Sequence, residues 1–153
     1  MADLYNRAPF NDLRSCNMPY ISIFQLEVRS YELDVYDHVN NAVYINWLEH
    51  GRSKLLQDKG FNYTNIAQVW GVRFMTVRTE IDYRLPLHLG DRVKVSTQVQ
   101  KVGNTSVTLL QEVRRNADDV DVVSASARVV IVFTDAASHK PVPVPAEFVR
   151  LYA

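Results

Sequence analysis

The stretch YELDVYDHVNNAVYINWLEHGR, Tyr31–Arg52, sets the reading of the whole chain. Asp34, Asp37, His38, Asn40 and Asn41 crowd into eight positions, and an apolar-periodic run follows at once. From Ala42 to Lys59, Tyr44, Trp47, Leu48, Gly51, Leu55 and Leu56 recur at three- and four-residue spacing, which predicts a helix with one apolar face. Asn40 or Asn41 is the natural N-cap, because its side-chain oxygen can accept from the first unpaired N–H groups. Gly60 supplies the stop expected just past a helix end.

Outward from the helix the period changes to two. Upstream, Ile23, Phe24, Leu26 and Val28 suggest a strand starting near Ile21. Downstream, Val77, Thr79, Ile81, Tyr83 and Leu85 share one face, opposite Arg78, Glu80, Asp82 and Arg84. Val93, Val95, Thr97 and Val99 form the next strand, and Gly103-Asn104 is a hairpin signal leading to Val107–Val113. After the turn NADDVD, Val123–Phe133 is the longest strand, expected to be central. The tail KPVPVPAEFVRLY is expected to be extended. Residues 1–19, with Pro9 and Pro19, are expected to be an N-terminal arm, and 20–153 a single domain. Short connections make neighbouring strands pair. A lone helix must bury its stripe on the concave face of the resulting sheet. The expected class is α+β, a curved antiparallel sheet wrapped around one long central helix. Its other face and at least one edge call for a partner.

The totals exclude several functions. Seventeen basic and seventeen acidic residues cancel, so nothing in the net charge points to nucleic acid or an anionic membrane. One cysteine, Cys16, allows no internal disulfide and argues for a reducing compartment. No apolar run reaches the ~18 residues of a membrane span, and the N-terminus lacks a signal-peptide core. The expected location is the cytoplasm.

The chemistry concentrates in the opening stretch. N–H groups at a helix start form a positive dipole end that can receive a developing oxyanion. A carboxylate just upstream can act on the same carbonyl as general base or nucleophile. Each residue also has a plainer role. Asp34 suits a turn, His38 a structural histidine, Tyr44 and Trp47 the helix core, and Glu49 with Arg52 a surface or interface ion pair. Asp34 and His38 lack further ligands at metal-binding spacing, so no metal is expected. No G-x-S-x-G elbow or phosphate loop is present.

YELDVYDHVNNAVYINWLEHGR resembles the signature of the 4-hydroxybenzoyl-CoA thioesterase-like branch of the hotdog superfamily: an Asp, three residues, then H-V-N-N-x-x-Y at the helix head. IDYRLPLHLGDRV, residues 81–93, resembles the family's second recurring segment. The HVNN block is also similar to plant acyl-carrier-protein thioesterases. The resemblance implies an acyl-CoA thioesterase, with Asp34 as catalytic carboxylate, the Asn41 backbone N–H on the thioester carbonyl and His38 assisting. Tyr36, Asn40, Tyr44, Arg78 and Arg84 are the candidate substrate-binding residues. Arg73, Lys101 and Arg128 join Arg78 and Arg84 as candidates for the coenzyme A phosphates, and a solvated strand face explains each of the five equally well. Tyr36 stands where the plant enzymes have Asn, and Asp37 where many bacterial relatives have Gly; Asp tolerates the left-handed turn that a Gly would make. The implied partners are an acyl-CoA or acyl-carrier-protein thioester and a second copy of the chain, as homodimer or homotetramer. No cofactor is implied beyond the coenzyme A of the substrate. A hotdog dehydratase, which usually has a Pro-Gly helix start, and a non-catalytic acyl-thioester binder are the rival readings.

Overall fold

The structure, a computed structural model, describes residues 19–117 and 120–153; the expected N-terminal arm and Cys16 lie outside the described residues. Five strands form one antiparallel sheet: β1 (Ile21–Glu27), β2 (Val72–Tyr83), β3 (Arg92–Val102), β4 (Ser106–Ala117) and β5 (Val120–Asp135). The spatial order is β1-β3-β4-β5-β2. The long helix α1 (Asn41–Gln57) follows β1 and a short 3-10 turn at Ser30–Glu32. Two shorter helices are α2 (Asn65–Val69) and α3 (Ala146–Tyr152).

α1 begins and ends for local reasons. The Asn40 side chain accepts from the Ala42 N–H at 2.9 Å, the N-cap expected of it. At the other end Gly60 has φ of 81°, a conformation that costs glycine little, and the Phe61 N–H turns back to the Leu56 carbonyl. Tyr44, Trp47, Leu48, Gly51, Leu55 and Leu56 are all buried, so the periodic face is the enclosed one. It packs on the inward positions of the sheet, where Val93, Val95, Leu109, Val113 and Val129 are almost fully buried.

That core is not wholly apolar. Gln111 and Thr97 are fully buried beneath α1. Gln111 Nε2 donates to Thr97 Oγ1 at 2.8 Å and to the Leu48 carbonyl at 2.9 Å, and Arg52 donates to Gln111 Oε1 at 3.0 Å. The helix approaches this network so closely that a Cβ on Gly51 would lie 2.7 Å from Thr97 Oγ1. Arg52 is therefore not the surface residue its spacing from Glu49 suggests. It pairs with Glu49, but its own side chain is 5% exposed, because the helix turns that position toward the sheet.

The sheet also departs from sequence order. The β3-β4 and β4-β5 neighbours pair as adjacent strands, and Gly103 N–H closes the first turn on the Ser106 carbonyl at 2.8 Å. β2, however, pairs with β5 rather than with β3. The segment 84–91 therefore crosses the sheet end from one side to the other. β5 is the longest strand, at 16 residues, but β4 is central. In β2 a bulge between Thr76 and Arg78 resets the alternation, leaving Val77 exposed. The C-terminal tail is not extended throughout. After Pro145 the chain turns into α3, because Phe148 and Tyr152 share one helical face and bury against Phe133 and Leu56. Proline at the N-cap position removes no helical hydrogen bond.

Candidate active site

The crossing segment and the opening stretch meet at the head of α1. Leu33 and Val39 form an isolated bridge, and the Val39 N–H donates to the carbonyl of fully buried Leu87 at 2.9 Å. Between these anchors the loop closes on Asp34. Its Oδ1 accepts from the Tyr36 N–H at 2.8 Å and the His38 N–H at 3.3 Å, and its own N–H donates to the His38 carbonyl at 2.8 Å. Oδ2 has no hydrogen-bond partner among the described residues. Asp37 takes φ of 59°, the left-handed turn expected at that position.

At the helix start the three first amides differ. Ala42 N–H is taken by the Asn40 side chain and Val43 N–H by the Asn40 carbonyl. Asn41 N–H has no acceptor among the described residues, so it is the donor left at the positive end of the helix.

A cavity of about 320 Å³ opens here, lined by Asp34, His38, Val39, Asn41, Tyr44, Tyr83, Arg84, Leu85 and Pro86. It gathers five of the expected site residues: Asp34, His38, Asn41, Tyr44 and Arg84. The others are elsewhere. Asn40 is spent on the cap, Tyr36 projects into solvent at 76% exposure, and Arg78 is exposed and paired with Glu80. Arg73, Lys101 and Arg128 are exposed and do not line the cavity. Arg84 and Arg128 also border a second cleft, on the outer face of the sheet, beside Glu80 and Asp82.

Sequence reasoning did not single out Tyr83 and His88. Tyr83 packs edge-on to Tyr44 at 5.2 Å, and its hydroxyl approaches the Asn41 carbonyl at 3.4 Å. Both sit in the IDYRLPLHLGDRV segment, whose recurrence was the available signal. Burial, with smaller contributions from Tyr83 and Asp91, pushes the Tyr44 hydroxyl up to about 12, so it stays protonated at neutral pH. Behind the loop, Glu32 is buried. Although burial opposes its ionisation, hydrogen bonds from Arg29 and from the Trp47 indole hold its carboxyl below the usual range. Its backbone carbonyl accepts from Asn40 N–H, which ties the cap residue to the 3-10 turn. Among the described residues no group of three or more His, Cys, Asp or Glu gathers as a metal site.

The comparisons with known proteins bear on the family and the fold. The long-chain acyl-CoA thioesterase FadM of Escherichia coli is 32% identical over 123 residues, 80% of this chain and 90% of that protein. A chloroplastic acyl-acyl carrier protein thioesterase of Arabidopsis thaliana is 29% identical over 128 residues, 84% of this chain and 65% of that one. A solved variant of 4-hydroxybenzoyl-CoA thioesterase in complex with 4-hydroxybenzoyl-CoA superposes with a TM-score of 0.80, covering 87% of this chain and 99% of that one. At 14% identity that likeness speaks for the hotdog fold alone. The family model described as the thioesterase-like superfamily matches residues 28–151, from the end of β1 through almost all of α3. With β2 to β5, the central helix and the HVNN head all inside that span, the chain belongs to the thioesterase-like superfamily.

Proposed function

We propose that this chain is an acyl-CoA thioesterase that hydrolyses an acyl thioester to the free acid and coenzyme A. The observation that carries the reading is the shared cavity, lined both by a carboxylate with one anchored oxygen and one that is unbonded among the described residues, and by a helix-start N–H unpaired among them. Asn41 N–H polarises the thioester carbonyl and stabilises the oxyanion that forms on attack. Asp34 Oδ2 either takes a proton from the attacking water or attacks the carbonyl itself, giving a mixed anhydride that water then opens. The thiolate of coenzyme A leaves in either case. Water is the only co-reactant, and the mechanism takes no metal or redox cofactor. His38, on the cavity wall, assists by orienting water or substrate. Arg84, between the cavity and the outer cleft, is the best-placed cation for the coenzyme A phosphates.

The occupant at the thiol side is coenzyme A or an acyl carrier protein, and the Arabidopsis relative supports keeping the second in the test. A panel of acyl-CoAs of varied chain length and aromaticity, with acyl-carrier-protein thioesters alongside, is assayed for released thiol. Release from an acyl-CoA supports the reading; release from carrier-protein thioesters alone, or from none of them, refutes it.

The functional unit is a homodimer, or a tetramer built from two such dimers. The outer edge of β2 has no strand partner among the described residues, and Met75, Val77, Tyr83 and Leu85 on or just past it are exposed, as is Ile45 on α1. Tyr83 and Leu85 also line the cavity, so a copy seated there would close the site. Light scattering that finds an active monomer would refute this assembly. No helix of the described residues is long and apolar enough to cross a membrane. The compartment we propose is the cytoplasm, on the single-cysteine composition.

A further inference from the structure

His88 lies in the crossing segment, outside the cavity lining, yet it reaches the tip of the Asp34 loop. We infer that His88 is a positioning residue for the reaction proposed above: it clamps the left-handed turn at Asp37 and thereby sets the Asp34 carboxylate and the His38 ring. The inference rests on that functional reading for its kinetic consequence, and on geometry alone for the clamp.

His88 Nδ1 lies 3.2 Å from the Asp37 carbonyl oxygen. A carbonyl only accepts, so Nδ1 carries the proton and donates. The His88 and His38 rings meet edge to face with centroids 5.0 Å apart. Among the described residues, His88 is the only side chain from outside the 34–38 loop that hydrogen-bonds it.

The clamp itself stands on a rigid base. His88 N–H donates to Asp91 Oδ2 at 2.8 Å, and Asp91 N–H returns to the His88 carbonyl at 3.1 Å. The same segment is fastened to the end of β1, Gly90 N–H donating to the Val28 carbonyl and Val28 N–H to the Asp91 carbonyl. Its other side is held by buried Leu87.

From the clamp the connection to chemistry is short. Asp37 N–H donates to the Asp34 carbonyl at 3.2 Å, and the turn that places Asp37 also brings the Tyr36 and His38 amides to Asp34 Oδ1. Tyr36, Asp37 and His38 are exposed, so core packing does little to hold the loop tip. Asp tolerates a left-handed φ at modest cost, and the hydrogen bonds on the Asp37 backbone help to hold it there. Releasing the carbonyl lets the turn relax and shifts Asp34 relative to the Asn41 N–H. A misplacement of about 1 Å at a reacting group costs up to ~100-fold in rate.

Two variants separate the clamp from mere bulk. Asn places its Nδ2 where the His Nδ1 stood and can still donate; Leu fills the space without a donor. The expected result is that His88→Leu lowers kcat by about 10-fold or more with little change in KM, while His88→Asn stays within about 3-fold of the parent. Long-range 15N–1H spectra of the unsubstituted protein read the ring directly and require no activity, and the Nδ1–H tautomer is expected at His88. The inference is overturned if His88 is found as the Nε2–H tautomer, if His88→Leu keeps the parent kcat, or if Asn loses as much as Leu. If no thioester is turned over, the functional reading fails, and the tautomer still decides the clamp.

Discussion

Gly51→Ala sets two known effects against each other inside α1. In an exposed helix interior, replacing Gly by Ala is favourable by about 1 kcal/mol. At Gly51 the new Cβ would sit 2.7 Å from Thr97 Oγ1 and 2.9 Å from Gln111 Nε2, distances that no packed methyl tolerates. Both side chains are fully buried, so neither can swing into solvent. Moving Gln111 takes its amide from the Leu48 carbonyl and its oxygen from Arg52. Each buried partner left unsatisfied costs about 1–3 kcal/mol, and more where it is charged. Two such losses outweigh the propensity gain and leave a net destabilisation of about 2 kcal/mol or more. Urea unfolding of the two proteins, compared at equal slope, measures it. A Gly51→Ala protein as stable as the parent, or more so, would refute the close approach of α1 to the buried network.

Leu48→Ala, at a side chain 2% exposed, should cost about 2–5 kcal/mol in the same unfolding assay; a loss under about 0.5 kcal/mol would mean another face of α1 is enclosed. Asp58 should make stability depend on acid: burial opposes its ionisation, but Lys54, Ser22 and Tyr20 together hold its carboxyl below the usual range. A lowered folded-state value means that the stabilisation is complete at neutral pH and drains away as pH falls below about 4. The stability gap between the parent and Asp58→Asn should therefore be largest near pH 7 and close in acid, and a gap that persists unchanged at low pH contradicts the assignment. His38→Ala should lower kcat less than loss of the Asp34 carboxylate does, as expected of an assisting group; equal losses would promote His38 to an essential role.

The fold was legible where periodicity and punctuation agreed. The α1 stripe, the Asn cap, Gly60 and the Gly103-Asn104 turn each follow from local chemistry, and each stands where the pattern put it. Pairing was legible only where the connection was a hairpin. Eight residues between β2 and β3 looked like a break in one meander, but they cross the sheet end, because β2 finds its partner in β5. Three prolines masked α3, whose two buried aromatics, Phe148 and Tyr152, are four residues apart. The site showed the same division. Asp34, His38 and Asn41 were readable as one stretch, whereas Tyr83 and His88 reach it only through the crossing segment, a tertiary fact. Arg52 looked superficial because its ion pair with Glu49 follows helical spacing, while its other bond, to Gln111, spans 59 positions.

The central claim is that Asp34 performs the chemistry. Steady-state kinetics of Asp34→Asn, with circular dichroism as the folding control, test it most directly. Asn keeps the shape of the side chain and an oxygen able to accept from the Tyr36 and His38 amides, but it can neither take a proton nor attack as a carboxylate. General acid–base assistance is worth about 10²–10⁴ in rate, so kcat should fall by at least ~100-fold with substrate binding little changed. A well-folded Asp34→Asn protein that turns over acyl-CoA at near the parent kcat would contradict the account.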